Sequence, residues 1–378
     1  MDGDAPLFPY LDLRAQFAEI AVEIGSAVQR VMESQKFILG HEVSAFEEEF
    51  SSLVGCASAV ACASGSDALL LSLMAIDIRP GDEVITTPFT FIATAGAVAR
   101  LKARPVFVDI NEETFNLDAQ LLESAVTPRT RAIIPVHLFG LPADMDTVRE
   151  VAARHDLAVV EDAAQAVGAS YAGAAVGTLG KLGCFSFFPS KNLGGAGDGG
   201  LVTTNDFALA ERVRILRTHG SRRKYYYEVL GMNSRLDALQ AAILRVKLGH
   251  LPRWTRMRQL RAERYRRLFA EYGLTNHVRL PASPPGAVHV YNQFVIRSPE
   301  RDDLRGFLKS RGIPTEIYYP LPLHLQPVFS YLDHRAGDFP KAERASREVL
   351  ALPIYPELEE PQQVAAVQAI ANYFAGRT

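Results

Sequence analysis

Cysteine is scarce in this chain: three residues in 378, Cys56, Cys62 and Cys184, none in a C-x-x-C pair or a metal-ligand spacing. That excludes a disulfide framework and a cysteine-built metal site, and the three read as small buried hydrophobes of a reducing compartment. Long apolar runs are missing too. No run of about 18 uncharged apolar residues, the length a membrane helix needs, occurs anywhere. The opening MDGDAPLFPYLDL is acidic and punctuated by proline, without the basic and then apolar order of a secretory leader. A cytoplasmic, membrane-free protein is the expectation. Charge of one sign is lacking as well, since a formal net charge of -3 offers no general attraction to nucleic acid or an anionic membrane. The absence of a fixed-period repeat or a low-complexity tract excludes solenoids and flexible tails.

What is present is an ordinary globular balance, 48% hydrophobic and 22% charged, with apolar material for a sizeable core. At 378 residues the chain exceeds one usual core, so a large and a small domain are expected. Val/Ile-rich runs at 83–87, 104–109, 131–136, 157–162 and 183–188 alternate with helical patterns at 66–76, 91–102, 118–126 and 144–155. This alternation predicts an α/β domain with a mostly parallel sheet flanked by helices. The runs are continuous rather than alternating, which fits strands buried on both faces. Beyond Val202 come long helices at 206–217 and 235–273, a proline-rich connection at 274–290, the strand-like YNQFVIR, and helices near 301–311 and 361–375. These predict a smaller C-terminal α/β domain, with a boundary near residue 250 that divides 1–250 from 251–378.

Four segments carry chemistry. In CFSFFPSKNLGGAGDGG, residues 184–200, Lys191 follows an aromatic strand and precedes a glycine-rich turn. Apolar walls lower a lysine's pKa, and a neutral amine is the form that attacks an aldehyde to make a Schiff base. A lysine on a loop, taken alone, is more often simply solvated. Gly195, Gly197 and Gly200 match GxGxxG formally, but the strand-like LVTTND follows where a dinucleotide site needs a helix. Ser190 precedes Lys191, the reverse of a phosphate-loop order, so both nucleotide motifs fail on context.

VVEDAAQAVG, residues 159–168, ends a strand with Glu161 and Asp162, where side chains of open α/β sheets face the ligand crevice. A carboxylate there can keep a pyridine nitrogen protonated, and Asp162 serves equally well as the cap of a following helix. ACASGSDALLLSL, residues 61–73, leads small residues into a helix start with Ser66 as a hydroxyl donor. That is a phosphate cradle, or an ordinary capped helix. In TTPFTFIATA, residues 86–95, Phe89 and Phe91 can stack on a flat ring or pack in the core.

Together, SFFPSKNLG, the upstream EDAAQA and the downstream GMNSRLDALQAA resemble the DegT/DnrJ/EryC1/StrS family of sugar aminotransferases that use pyridoxal 5′-phosphate (PLP). The resemblance runs from LDLRAQF near residue 11 to LPIYPEL near residue 355. It implies a fold-type I transferase in which Lys191 carries the cofactor and shuttles protons, Asp162 pairs with the pyridinium nitrogen and Gln165 lies near the 3-oxygen. Phe91 would stack on the ring. Gly65, Ser66 and Ser186 would bind the phosphate, and Asn233 would reach it from the neighbouring subunit of a homodimer with shared sites.

Family dehydratases carry His where this chain has Lys191, so the resemblance implies transamination, with L-glutamate as donor and a nucleotide-linked keto-sugar as acceptor. A non-catalytic regulator on this fold would need an added basic DNA-reading domain. The basic, aromatic HGSRRKYYYEVLG, residues 219–231, suits a pyrophosphate and a stacked nucleoside, or is a solvated loop. The NSRLD form with Arg235, and YYPLPLHLQPVF with Tyr318 and His324, resemble the branch that aminates C3 of 3-keto sugars; C4 of a 4-keto sugar is the alternative. Arg235, Tyr318 and His324 are the substrate-side candidates.

Overall fold

The computed structural model describes residues 6–376. Seven strands form the main sheet: β1 (Ser58–Cys62), β2 (Glu83–Thr86), β3 (Arg104–Phe107), β4 (Thr130–Ile133), β5 (Ala158–Asp162), β8 (Leu182–Ser186) and β9 (Gly200–Thr204). Their order is β1-β9-β8-β5-β4-β2-β3, and β9 alone runs against its neighbours. The parallel α/β expectation holds. β6 (Ser170–Tyr171), β7 (Ala174–Ala175) and β10 (Ala287–Val288) form a small separate patch.

Alternate residues of the strands feed two apolar layers. Val60, Val84, Ala132, Val160 and Cys184 face α3 (Gly65–Ala75), α4 (Ile92–Arg100) and α7 (Phe207–Leu216). Ala59, Ile85, Ile133, Val159 and Phe185 face the opposite layer, with α2 (His41–Val54), α6 (Met145–Arg154) and the first half of α8 (Ala238–Glu271). Phe185 and Phe187 are fully buried there and meet Phe46 and Phe50 edge-on. Each such ring contributes about 2–3 kcal/mol of burial, which pins the strand leading to Lys191.

Helix α8 joins two cores. Ala241, Leu244, Leu248 and Leu251 pack with the main sheet, whereas Ala262, Tyr265, Leu268 and Phe269 pack with a second core. That second core gathers β11 (Phe294–Arg297), β12 (Val349–Leu352), α9 (Arg301–Ser310), α11 (Glu360–Ala375) and the N-terminal Phe8. Residue 250 lies inside α8, and the inward side chains of that helix change partners between Leu251 and Ala262. Helix α1 (Leu13–Ser34), capped by Asp12 through the amides of Arg14 and Ala15, packs on α8, and α10 (Pro340–Glu348) precedes β12.

Two expected elements are shorter than their sequence patterns, and two strands went unread. The helix expected at 118–126 is present as a three-residue 3₁₀ turn, Ala119–Leu121, capped by Asp118 and running straight into the short α5 (Leu122–Ala125). The strand expected at 131–136 ends at Ile133, close to Pro135, which has no N–H to donate. β1 and β12 went unread, since SAVAC is short and small and VLAL is brief within a charged stretch. Among the described residues no helix is long and apolar enough to cross a membrane.

Candidate active site

Strand register brings the chemistry to one edge. Asp162 pairs with Cys184 between β5 and β8, Ser186 with Gly200 between β8 and β9, and Gly200 with Cys62 between β9 and β1. The ends of β1, β5 and β8 therefore meet at one carboxyl edge, the ligand side of open α/β sheets. Asp162 ends β5 at this edge, Gly65 opens α3 just beyond β1, and Lys191 lies on the loop after β8.

Asp162 is 5% exposed. Its Oδ2 accepts the Thr94 hydroxyl at 2.7 Å and its Oδ1 the Ala164 amide at 3.2 Å. Burial nevertheless raises its pKa, against those two donors and the nearby Lys191 charge. Turns, not a helix, occupy residues 163–168, which removes the helix-cap alternative. A buried carboxyl of this kind is stabilised by a cationic partner. Lys191, partly enclosed, has its amine pushed down to about 8 by desolvation, with Asp162 pulling the other way. Neighbouring Glu161 points away from the site. It accepts the amides of Gly177, Leu179 and Gly180, and the Nε2 of fully buried His137, whose Nδ1 accepts the Ala143 amide.

The cradle is assembled at the start of α3. Ser64 caps the helix by accepting the Asp67 amide, which leaves the amides of Gly65 and Ser66 without a partner among the described residues. A Cβ on Gly65 would lie 2.6 Å from Ser186 Cβ, so the two elements close to this distance only with glycine. Phe89 is fully buried, whereas Phe91, just ahead of α4, is 55% exposed. The two aromatic options thus divide between core and site.

Gln165 is held on both sides: its Oε1 accepts the Phe139 amide at 2.7 Å and its Nε2 donates to the Tyr319 hydroxyl at 3.2 Å. Tyr319 also sits 6.4 Å from the Phe91 ring. Tyr319 and Thr94 were missed in the sequence. The YYP pair was the available signal, and Tyr318 was taken from it instead of Tyr319. Tyr318 packs beside Tyr10 of the N-terminal arm.

The remaining candidates separate. Asn233 is exposed and bridges to Thr218, while the buried hydroxyl of Ser234 next to it donates to Asp67 of α3 at 2.7 Å. Arg235 is partly buried on the same segment. His324 needs correction: its side chain is fully enclosed, bonded to Glu343 at 3.1 Å and packed on Phe339, so no surface is left for a substrate. In the 219–231 loop, Arg223 lies over the Tyr226 ring and Lys224 over Tyr225.

These groups fit PLP. A neutralisable amine, a buried carboxylate in want of a cation, an exposed aromatic face and a glycine-bounded helix start with free amides match an aldehyde, a pyridine nitrogen, a flat ring and a phosphate respectively.

Comparison with known proteins agrees. The model of the DegT/DnrJ/EryC1/StrS aminotransferase family matches residues 18–371. A pleiotropic regulatory protein of Geobacillus stearothermophilus is 51% identical, over 97% of this chain and 98% of its own. A UDP-N-acetyl-3-dehydro-alpha-D-glucosamine 3-aminotransferase of Acidithiobacillus ferrooxidans is 47% identical over 96% of each chain. The crystal structure of S. venezuelae DesV in complex with a ketimine intermediate superposes with a TM-score of 0.94, at 46% identity over 98% of this chain and 99% of that one. With a site of this chemistry and a match over nearly its whole length, the chain belongs to the DegT/DnrJ/EryC1/StrS aminotransferase family.

Proposed function

We propose that this aminotransferase uses PLP bound to Lys191 to move an amino group from L-glutamate to C3 of a nucleotide-linked 3-keto sugar. The observation that carries the proposal is the pairing of a depressed lysine with a buried carboxylate at the carboxyl edge, beside a cradle of free amides. When bound, the cofactor supplies an electron sink for the carbon that loses or gains a proton. Lys191, whose amine is already half neutral at about pH 8, takes that proton at one carbon and returns it at another. Asp162, kept in place by Thr94 and Ala164, holds a ring nitrogen in its charged form. Gly65 and Ser66 offer amides to a phosphate, with Ser186 beside them, while Phe91 covers one ring face. Gln165, with its Oε1 committed to Phe139 and one Nε2 hydrogen to Tyr319, has its second Nε2 hydrogen for the ring's 3-oxygen.

The acceptor assignment draws on the 3-aminotransferase relative and on the 318–329 segment. Arg235 and Tyr318 are assigned to the substrate side. Asn233, exposed on its own chain, is assigned to the partner's cofactor in a cytoplasmic homodimer whose domains divide at residue 250. The test is incubation with glutamate and a panel of 3-keto and 4-keto nucleotide sugars, with the position of the new amine read by NMR. Amination at C3 is expected. Amination confined to C4 overturns the acceptor assignment, and bound PLP with no turnover on any sugar points to a regulator.

A further inference from the structure

The loop that carries Lys191 is fastened residue by residue, yet none of the fastenings is made by Lys191's own side chain. Leu193 is fully buried in the layer shared by the sheet and α8. The buried Asn192 donates its Nδ2 to the Val290 carbonyl at 3.0 Å. The Gly195 amide returns to the Phe187 carbonyl at 2.8 Å. A Cβ on Gly194 would lie 2.3 Å from the Pro189 carbonyl oxygen, so residues 189–194 close into a turn that holds Lys191 at its crown.

Two further ties come from α8. Lys247 donates its Nζ to the Gly194 carbonyl at 2.7 Å, and Gln240 accepts the Ala196 amide on its Oε1 at 2.8 Å. Gln240 and Lys247 are seven residues apart, two helical turns, and therefore project from one face. Between them on that side lie Ala241 and Leu244, which pack in the same layer as Leu193. Among the described residues Lys247 has no carboxylate within ion-pair distance, so its charge is spent on a carbonyl of this loop. A charged donor on a carbonyl is stronger and more directional than a neutral one.

We propose that Lys247 and Gln240 are positioning residues that hold the Lys191 turn from α8, fixing where the Lys191 amine meets the reacting carbon. This rests on the reading of Lys191 as the cofactor-bearing amine. Proton transfer tolerates little displacement: an error of about 1 Å in a reacting group costs up to about 100-fold in rate. Both ties are made to backbone atoms of the loop, so their loss acts first on where the Lys191 turn sits.

The test compares PLP-loaded wild type with Lys247→Met, Lys247→Arg and Gln240→Ala. Lys247→Met keeps the aliphatic stem and removes the donor, and Lys247→Arg restores a donor. Lys247→Met is expected to retain cofactor, lose about 10-fold or more in kcat with KM little changed, and show faster amide exchange across 189–197. Lys247→Arg should recover most of kcat and of the exchange protection. Gln240→Ala should show the same pattern in weaker form, and it decides the matter if Lys247→Met does not fold. Wild-type kcat and exchange in the folded variants overturn the proposal, as does a loss in Lys247→Met that Lys247→Arg leaves unrepaired. A wild type that captures no PLP at Lys191 defeats the functional reading instead, and is told apart because the variants are then irrelevant to the result.

Discussion

An amine held near pKa 8 behaves differently from one at 10.5 in two measurable ways. Capture of added PLP by the cofactor-free protein should quicken with pH, reach half its maximum near pH 8 and level off about one pH unit above that, as the neutral amine becomes the main form. A continued rise toward pH 10.5 would show an ordinary exposed lysine. Stability carries the same signature. Between about 8 and 10.5 the unfolded chain binds a proton that the native chain does not, so stability rises with pH through that window. Lys191→Met should therefore stabilise the cofactor-free protein at neutral pH by up to about 3 kcal/mol, with the gain fading toward pH 10.5. Urea unfolding at several pH values measures it; a gain that does not change with pH contradicts the burial argument. For Asp162→Asn, PLP should be retained while turnover falls by about 100-fold or more, because removing one member of a buried charge pair costs roughly 3–5 kcal/mol. Near-normal steady-state rates would reduce Asp162 to a structural acceptor of Thr94 and Ala164. The placement of Lys191 and Asp162 at one sheet edge was legible because strand, carboxyl end and turn are written in contiguous residues. Thr94 and Tyr319 were not: their hydrogen bonds to Asp162 and Gln165 span 68 and 154 residues, distances that no local pattern encodes. His324 was misread for the same reason, since its enclosure by Glu343 and Phe339 exists only in the folded chain.

At the scale of elements, the site depends on how closely α3 approaches β8. Gly65→Ala introduces a methyl at 2.6 Å from Ser186 Cβ, and one of the two elements must retreat. The fold should survive at a cost of about 1–3 kcal/mol. Affinity for PLP should weaken by about 10-fold or more as the amide cradle opens. Equilibrium titration followed by visible absorbance reads the affinity, and unchanged binding would move the phosphate site elsewhere. The strands nearest this site were readable from apolar runs because burial on both faces leaves no polar alternation. What could not be read was β9's reversed direction, which depends on Gly200 pairing with both Ser186 and Cys62 from distant segments. The helix expected at 118–126 forms over Ala119–Ala125, its first turn 3₁₀ and only its last four residues α-helical.

At the scale of the whole molecule, the role proposed for Asn233 takes two chains. C₂ dimers are the commonest soluble assemblies, and Asn233 stands exposed on a segment tied through Ser234 to Asp67 at the cradle's own helix. If Asn233 serves the partner's cofactor, subunits carrying Lys191→Ala mixed with subunits carrying Asn233→Ala form heterodimers with one doubly damaged site and one intact site. Activity should reappear on mixing, well above either parent, provided Asn233→Ala alone is strongly impaired. No recovery after demonstrated subunit exchange would place both residues in one chain's site. The central claim, however, is the covalent one, and it has a direct measurement. Borohydride reduction of the PLP-loaded protein, followed by proteolysis and mass mapping, should place a single pyridoxyl label on Lys191. A label on any other lysine, or a protein that takes up PLP and carries no label after reduction, would contradict the account.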